Sequence, residues 1–125
     1  MNRGIFLKIK AIVSVSFGVG LLFFSTLLFP LYGITLDAAA VLVARWTGAM
    51  FIGIGLICWY ASNEAASELL RGILLSLFIA DSIGFVVSLL AQLAGVSNAL
   101  GWSTVAIWLL LALGLGYFRF ISKAN

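Results

Sequence analysis

The feature that most constrains this chain is a set of four long apolar runs, at 11–29, 38–61, 69–94 and 102–121, joined by short connections. Each run is near the ~20 residues that a helix needs to cross a hydrocarbon layer of about 30 Å. Composition agrees. Of 125 residues, 64% are hydrophobic and only 9% are charged, against roughly 25% charged in ordinary soluble domains. The expectation is a single transmembrane domain over 1–125 with little mass outside the bilayer. The connections 30–37, 62–68 and 95–101 are short, and short loops make neighbouring helices antiparallel. The predicted fold is therefore all-α, an integral-membrane four-helix bundle running up-down-up-down. Pro30 closes the first run, and Asp37 and Ser67 stand where helix N-caps belong. The basic start resembles a signal peptide, but the apolar run is longer than a usual signal core and no small-x-small site follows it, so it reads as a retained span.

Charge sets the predicted direction. Both termini and the second connection share one side, which holds Arg3, Lys8, Lys10, Arg71, Arg119 and Lys123. The other side holds no Lys or Arg outside a span. This asymmetry predicts cytoplasmic termini by the positive-inside rule. Aromatic residues mark both interfaces: Trp59, Tyr60, Tyr117 and Phe118 near inner ends, Tyr32 and Trp102 near outer ends.

Much chemistry is excluded by residue counts. The chain has no histidine and one cysteine, Cys58, so histidine-based zinc, haem and triad chemistry has no ligand or base. An internal disulfide or CxxC redox pair is excluded too. Four acids, Asp37, Glu64, Glu68 and Asp81, leave little for a metal cage. The net charge of +3 lies at span ends rather than in a patch, which gives no nucleic-acid signal. No catalytic, metal or cofactor residue is assigned, and the chain is read as a non-enzyme.

Two ionisable residues fall inside spans, Arg45 and Asp81. A charge at the bilayer centre costs about 2.5–3.5 kcal/mol on insertion scales, so such residues usually face protein and mark function. Counting ~1.5 Å per residue, their depths differ by ~9 Å, and a direct pair requires tilt or a bridging water. Snorkelling to the headgroups is the plain reading of Arg45. For Asp81 the plain reading is a neutral carboxyl bonded to a hydroxyl or carbonyl; the functional one is a proton or cation site, or an anchor for a polar ligand. Gln92, a polar amide near the outer end of the third span, completes this candidate polar set. The third span also repeats small residues every four positions: Gly72, Ser76, Ala80, Gly84 and Ser88, ending at Gln92. Small-xxx-small faces allow close helix approach, which predicts a packing stripe inside the bundle or a dimer face. Glu68 and Arg71 stand three apart at a helix start, where an acid complements the dipole.

Several of these segments occur together. They are a basic start, the turn Pro30-Leu31-Tyr32-Gly33-Ile34, the opening Ala44-Arg45-Trp46-Thr47-Gly48-Ala49, then Gly53-x-Gly55-Leu56, Ser62-Asn63-Glu64, and Asp81. This set resembles small uncharacterised four-helix bacterial membrane proteins allied to the DoxX-like group. The resemblance implies a bacterial cytoplasmic-membrane protein associated with membrane redox complexes or with chaperoning of other membrane proteins. No catalytic motif carries over onto a position here. Two functions are expected in order: an accessory subunit or assembly factor that meets the lipid bilayer and a membrane-protein partner or a second copy, and a transporter or channel for a small or lipophilic molecule using Asp81 and Arg45.

Overall fold

A computed structural model describes residues 1–122; Lys123, counted with the inner basic residues, lies outside the described residues. Among these residues the chain is helical with no strand, as the apolar runs predict. Helix α1 spans Arg3–Phe23, α2 Ser25–Leu31, α3 Ala38–Ala61, α4 Glu68–Leu93 and α5 Gly101–Gly116, and α5 continues through a π-helical turn, Tyr117–Ile121. Four stretches are long and apolar enough to cross a membrane: Arg3–Phe23, Ala38–Ala61, Glu68–Leu93 and Gly101–Ile121. The chain divides into two compact units, Met1–Asn63 and Glu64–Asn125. Each unit is a pair of long helices joined by a short connection, and such a hairpin closes most of its contacts locally.

The first span differs from its predicted limits. Asn2 caps α1, its Oδ1 accepting from the Ile5 amide at 2.8 Å, so the helix opens eight residues before the apolar run and carries Arg3, Lys8 and Lys10 within it. At the far end α1 stops at Phe23, and Pro30 lies inside the short helix α2 rather than terminating the span. Pro30 lacks an N–H for the helix ladder, and α2 ends one residue later. There the Ile34 amide reaches the Phe29 carbonyl and the Gly33 amide reaches Pro30, both at 3.0 Å, with Gly33 at φ 76°. This is a Schellman closure, which needs a left-handed residue that glycine supplies without strain. The other three spans start and stop within a residue of their predicted limits. Asp37 caps α3 through the Ala40 amide at 2.7 Å, and Ser67 caps α4 through Leu70 at 3.1 Å.

The first unit is built on a seam of small residues. A Cβ added at Gly4 would lie 2.8 Å from the Ser62 carbonyl oxygen, one at Gly55 3.0 Å from that of Ala11, and one at Gly18 2.7 Å from that of Gly48. These facing pairs step up α1 as 4, 11, 18 while stepping down α3 as 62, 55, 48. One heptad separates each pair from the next, so the small residues hold one antiparallel face. A seven-residue repeat drifts only about 20° around a helix, and that is why the seam stays aligned. Larger side chains flank these layers: Val15 against Gly55, Leu21 against Gly48, and Lys8 with its ammonium 5.7 Å from the Trp59 ring centre.

The second unit uses aromatic rings where the first uses bare backbone. The Trp108 ring of α5 lies directly over Gly84 of α4, and the Phe78 ring of α4 lies against Gly116. Phe78 also meets Phe120 edge-on, with centroids 5.4 Å apart and planes at 82°, a favoured aromatic geometry. The connection opens with a second Schellman closure at Gly95, φ 76°, in which Val96 bonds back to Ala91 and Gly95 to Gln92.

Candidate functional site

Asp81 sits midway along α4 and is 3% exposed. Its buried neighbours on the helix are Leu70, Leu74 and Leu77, and the 4-3-4 spacing places all four on one face. The carboxyl is engaged in a polar or electrostatic interaction rather than free. A carboxyl in this position can hold or release a proton, or fix a polar group. Among the described residues no cluster of three His, Cys, Asp or Glu side chains could hold a metal ion beside it.

Arg45 and Gln92 have different surroundings. Arg45 belongs to the first unit and Asp81 to the second. Arg45 is exposed on α3, next to Trp46, which is 63% exposed. Helix α3 is 24 residues long, about 36 Å at 1.5 Å per residue, so it overhangs a 30 Å hydrocarbon layer by ~3 Å at each end. Arg45 stands seven residues after Ala38, which puts its Cα ~7 Å below the boundary. An arginine side chain that leans toward the helix N-terminus brings the guanidinium up toward that boundary, the direction in which arginine snorkels. Gln92 is consumed by the α4–α5 connection. Its Oε1 accepts from the Ser97 hydroxyl at 2.7 Å, and its Nε2 donates to the Asn98 carbonyl at 3.0 Å. A Cβ on Gly101, the first residue of α5, would collide with both Gln92 and Ser97, so the amide clamps the turn against the next helix.

Within the chain the stripe Gly72, Ser76, Ala80, Gly84, Ser88 does not pack as one face. A Cβ at Gly72 would meet nothing within 4 Å, and Ser76 and Ala80 are exposed. The Ser76 hydroxyl bonds back to the Gly72 carbonyl at 2.8 Å. Gly84 receives Trp108, and Ser88 is half-buried. The reason is the period. At 100° per residue, a strict four-residue repeat from Gly72 to Gln92 turns about 200° around the helix. Asp81 accordingly lies about 180° from Gly72, which is why one is buried and the other open.

Two features escaped sequence reasoning. Lys10, counted with the exposed basic start, is 2% exposed and engaged. It lies among the buried residues Leu7, Ala11, Ser14 and Gly18 of α1, whose three- and four-residue spacing was the available signal. The other is a basic corner in the second unit. The Arg119 Nε, held on the π-helical turn, donates to the Arg71 carbonyl at 3.1 Å across 48 residues of chain. The Arg119 guanidinium lies 5.1 Å from the Phe120 ring centre. Neither this group nor the exposed Arg71 guanidinium has a carboxylate within 4.0 Å among the described residues, so the Glu68–Arg71 spacing does not produce an ion pair.

Four helices long and apolar enough to cross a membrane give the chain the character of an integral membrane protein. Comparison with known proteins finds no family model, no curated protein and no solved structure that matches the chain.

Proposed function

We propose that this protein is an accessory subunit or assembly factor of a bacterial cytoplasmic membrane, with both termini cytoplasmic, that works by docking its helices on another membrane protein or a second copy. The observation that carries this reading is the small-residue surface left open after each unit has packed. A Cβ at Gly53 or at Gly72 would meet nothing within 4 Å, and their helix neighbours Ala49, Ser76 and Ala80 are exposed. In lipid, such smooth faces let a further helix approach closely enough for van der Waals contact. The resemblance to membrane proteins allied to the DoxX-like group supports the same reading. Native mass spectrometry of the protein taken gently from its own membrane tests it. A stoichiometric partner protein or a second copy is expected; a single chain carrying only a small molecule or lipid would refute it.

Burial of Asp81 favours a second reading, a transporter for a small or lipophilic molecule in which Asp81 carries a proton and Arg45 guides the substrate. Proton-coupled flux into liposomes should then fall sharply in Asp81→Asn. Full flux in that variant ends this reading.

A further inference from the structure

The basic corner of the second unit has no role in either reading above, and it brings two arginines together: the Arg119 side chain is anchored on the backbone of Arg71 at 3.1 Å. We propose that Arg71 and Arg119 together hold one phosphate group, supplied by the phosphodiester of an anionic phospholipid in the leaflet at this end of α4.

Four observations support it. First, Arg119 is positioned in advance. Its Nε is fixed on the Arg71 carbonyl at 3.1 Å, and its guanidinium lies 5.1 Å from the centre of the Phe120 ring. That ring is braced by Phe78, which in turn fills the notch at Gly116. A guanidinium held this way loses little freedom on binding. Second, the donors are available. Arg119 keeps its two terminal nitrogens, and Arg71 is exposed with its own fork unclaimed. Guanidinium forks match phosphate oxygens in pairs. Third, the charges are uncompensated, since no carboxylate of the described residues lies within 4.0 Å of either. Fourth, the level is right. Helix α4 has 26 residues, about 39 Å, so it overhangs a 30 Å hydrocarbon layer by ~4–5 Å at each end. Arg71 stands three residues inside the start, ~4.5 Å along the axis, which puts its Cα at the hydrocarbon edge, and a side chain leaning toward the helix N-terminus extends from there toward the lipid phosphates.

The same contacts fit a soluble phosphate, so the experiment separates the two sources. The full chain, in phosphatidylcholine nanodiscs, is titrated with labelled phosphatidylglycerol and, separately, with inorganic phosphate. One tightly held phosphatidylglycerol per chain is expected. Arg71→Gln should weaken it about fivefold, the worth of one basic residue at a membrane surface. Arg119→Lys keeps the charge but loses the fork and the Nε donor, and should weaken it by a similar factor. Lys8→Gln removes the same unit of charge without removing a fork of the site, and should weaken it less than Arg71→Gln does. Circular dichroism melts confirm that each variant is folded. Displacement of the lipid by inorganic phosphate, lost in Arg71→Gln, supports the oxyanion site and assigns it to a soluble source. The proposal is overturned if phosphatidylglycerol is held no better than phosphatidylcholine and inorganic phosphate does not bind. It is equally overturned if Arg119→Lys binds like the unaltered chain while Lys8→Gln loses as much as Arg71→Gln. That second pattern is diffuse surface charge.

Discussion

Replacing Gly48 by alanine isolates the contact on which the first unit depends. The added Cβ would lie 2.6 Å from the Gly18 carbonyl oxygen, 2.8 Å from the Leu22 amide nitrogen and 3.2 Å from the Leu21 Cβ. Ordinary contact begins near 3.4 Å, so the helices must part locally by roughly 3.4 − 2.6 = 0.8 Å. The nearest obstacles are backbone atoms of α1, and no side-chain rotation relieves them. Overpacking of this kind costs about 1–3 kcal/mol. Alanine's better helix propensity returns up to ~1 kcal/mol, leaving a net loss of about 0–2 kcal/mol, against a gain at a site with free space. Gly53→Ala, five residues further along α3, provides the control: its Cβ would meet nothing within 4 Å. It receives the propensity gain alone and should be neutral to ~1 kcal/mol more stable. Equilibrium unfolding in mixed micelles, followed by circular dichroism, measures both. If Gly48→Ala proves as stable as Gly53→Ala, the α1–α3 seam is not a backbone contact and the heptad argument fails.

Other perturbations have equally defined outcomes. Gly84→Ala places a Cβ 2.5 Å from the Trp108 ring and should cost about 1–2 kcal/mol; in a Trp108→Leu background that cost should shrink, as double-mutant coupling shows. Gln92→Leu removes both bonds that brace the α4–α5 connection and should cost about 1–2 kcal/mol in the same unfolding assay, with faster proteolysis of the connection. Asp37→Ala removes the α3 cap and should cost ~1 kcal/mol, with Asp37→Ser restoring most of it. Arg45→Gln, on the exposed face of α3, should change unfolding by no more than about 0.5 kcal/mol, so any loss of partner or flux in that variant reports function rather than folding.

The candidate site was partly legible. The cost of an ionised group in hydrocarbon pointed to Asp81, and Asp81 is buried. The same argument pointed to Arg45, which is exposed, because a long flexible side chain near a helix end can carry its charge to the headgroups and a short carboxylate at mid-span cannot. Lys10 was missed for the converse reason. It precedes the apolar run, so hydropathy places it outside the span, yet the Asn2 cap starts the helix early enough to bring it onto a buried face.

Span number, helical class and three of four span limits were determined by the sequence alone. They follow from local quantities: the length of an apolar run, a capping side chain, a glycine at the left-handed position of a turn. What only the tertiary structure decided is which small residues are contacts. Gly48 and Gly53 lie on one helix, yet one abuts backbone and the other is open. Both are glycine in the same apolar surroundings, and the difference lies in whether each faces α1. Close approach depends on two helices keeping register over many turns. The heptad steps of α1 and α3 satisfy that condition, whereas the four-residue stripe of α4 winds out of it.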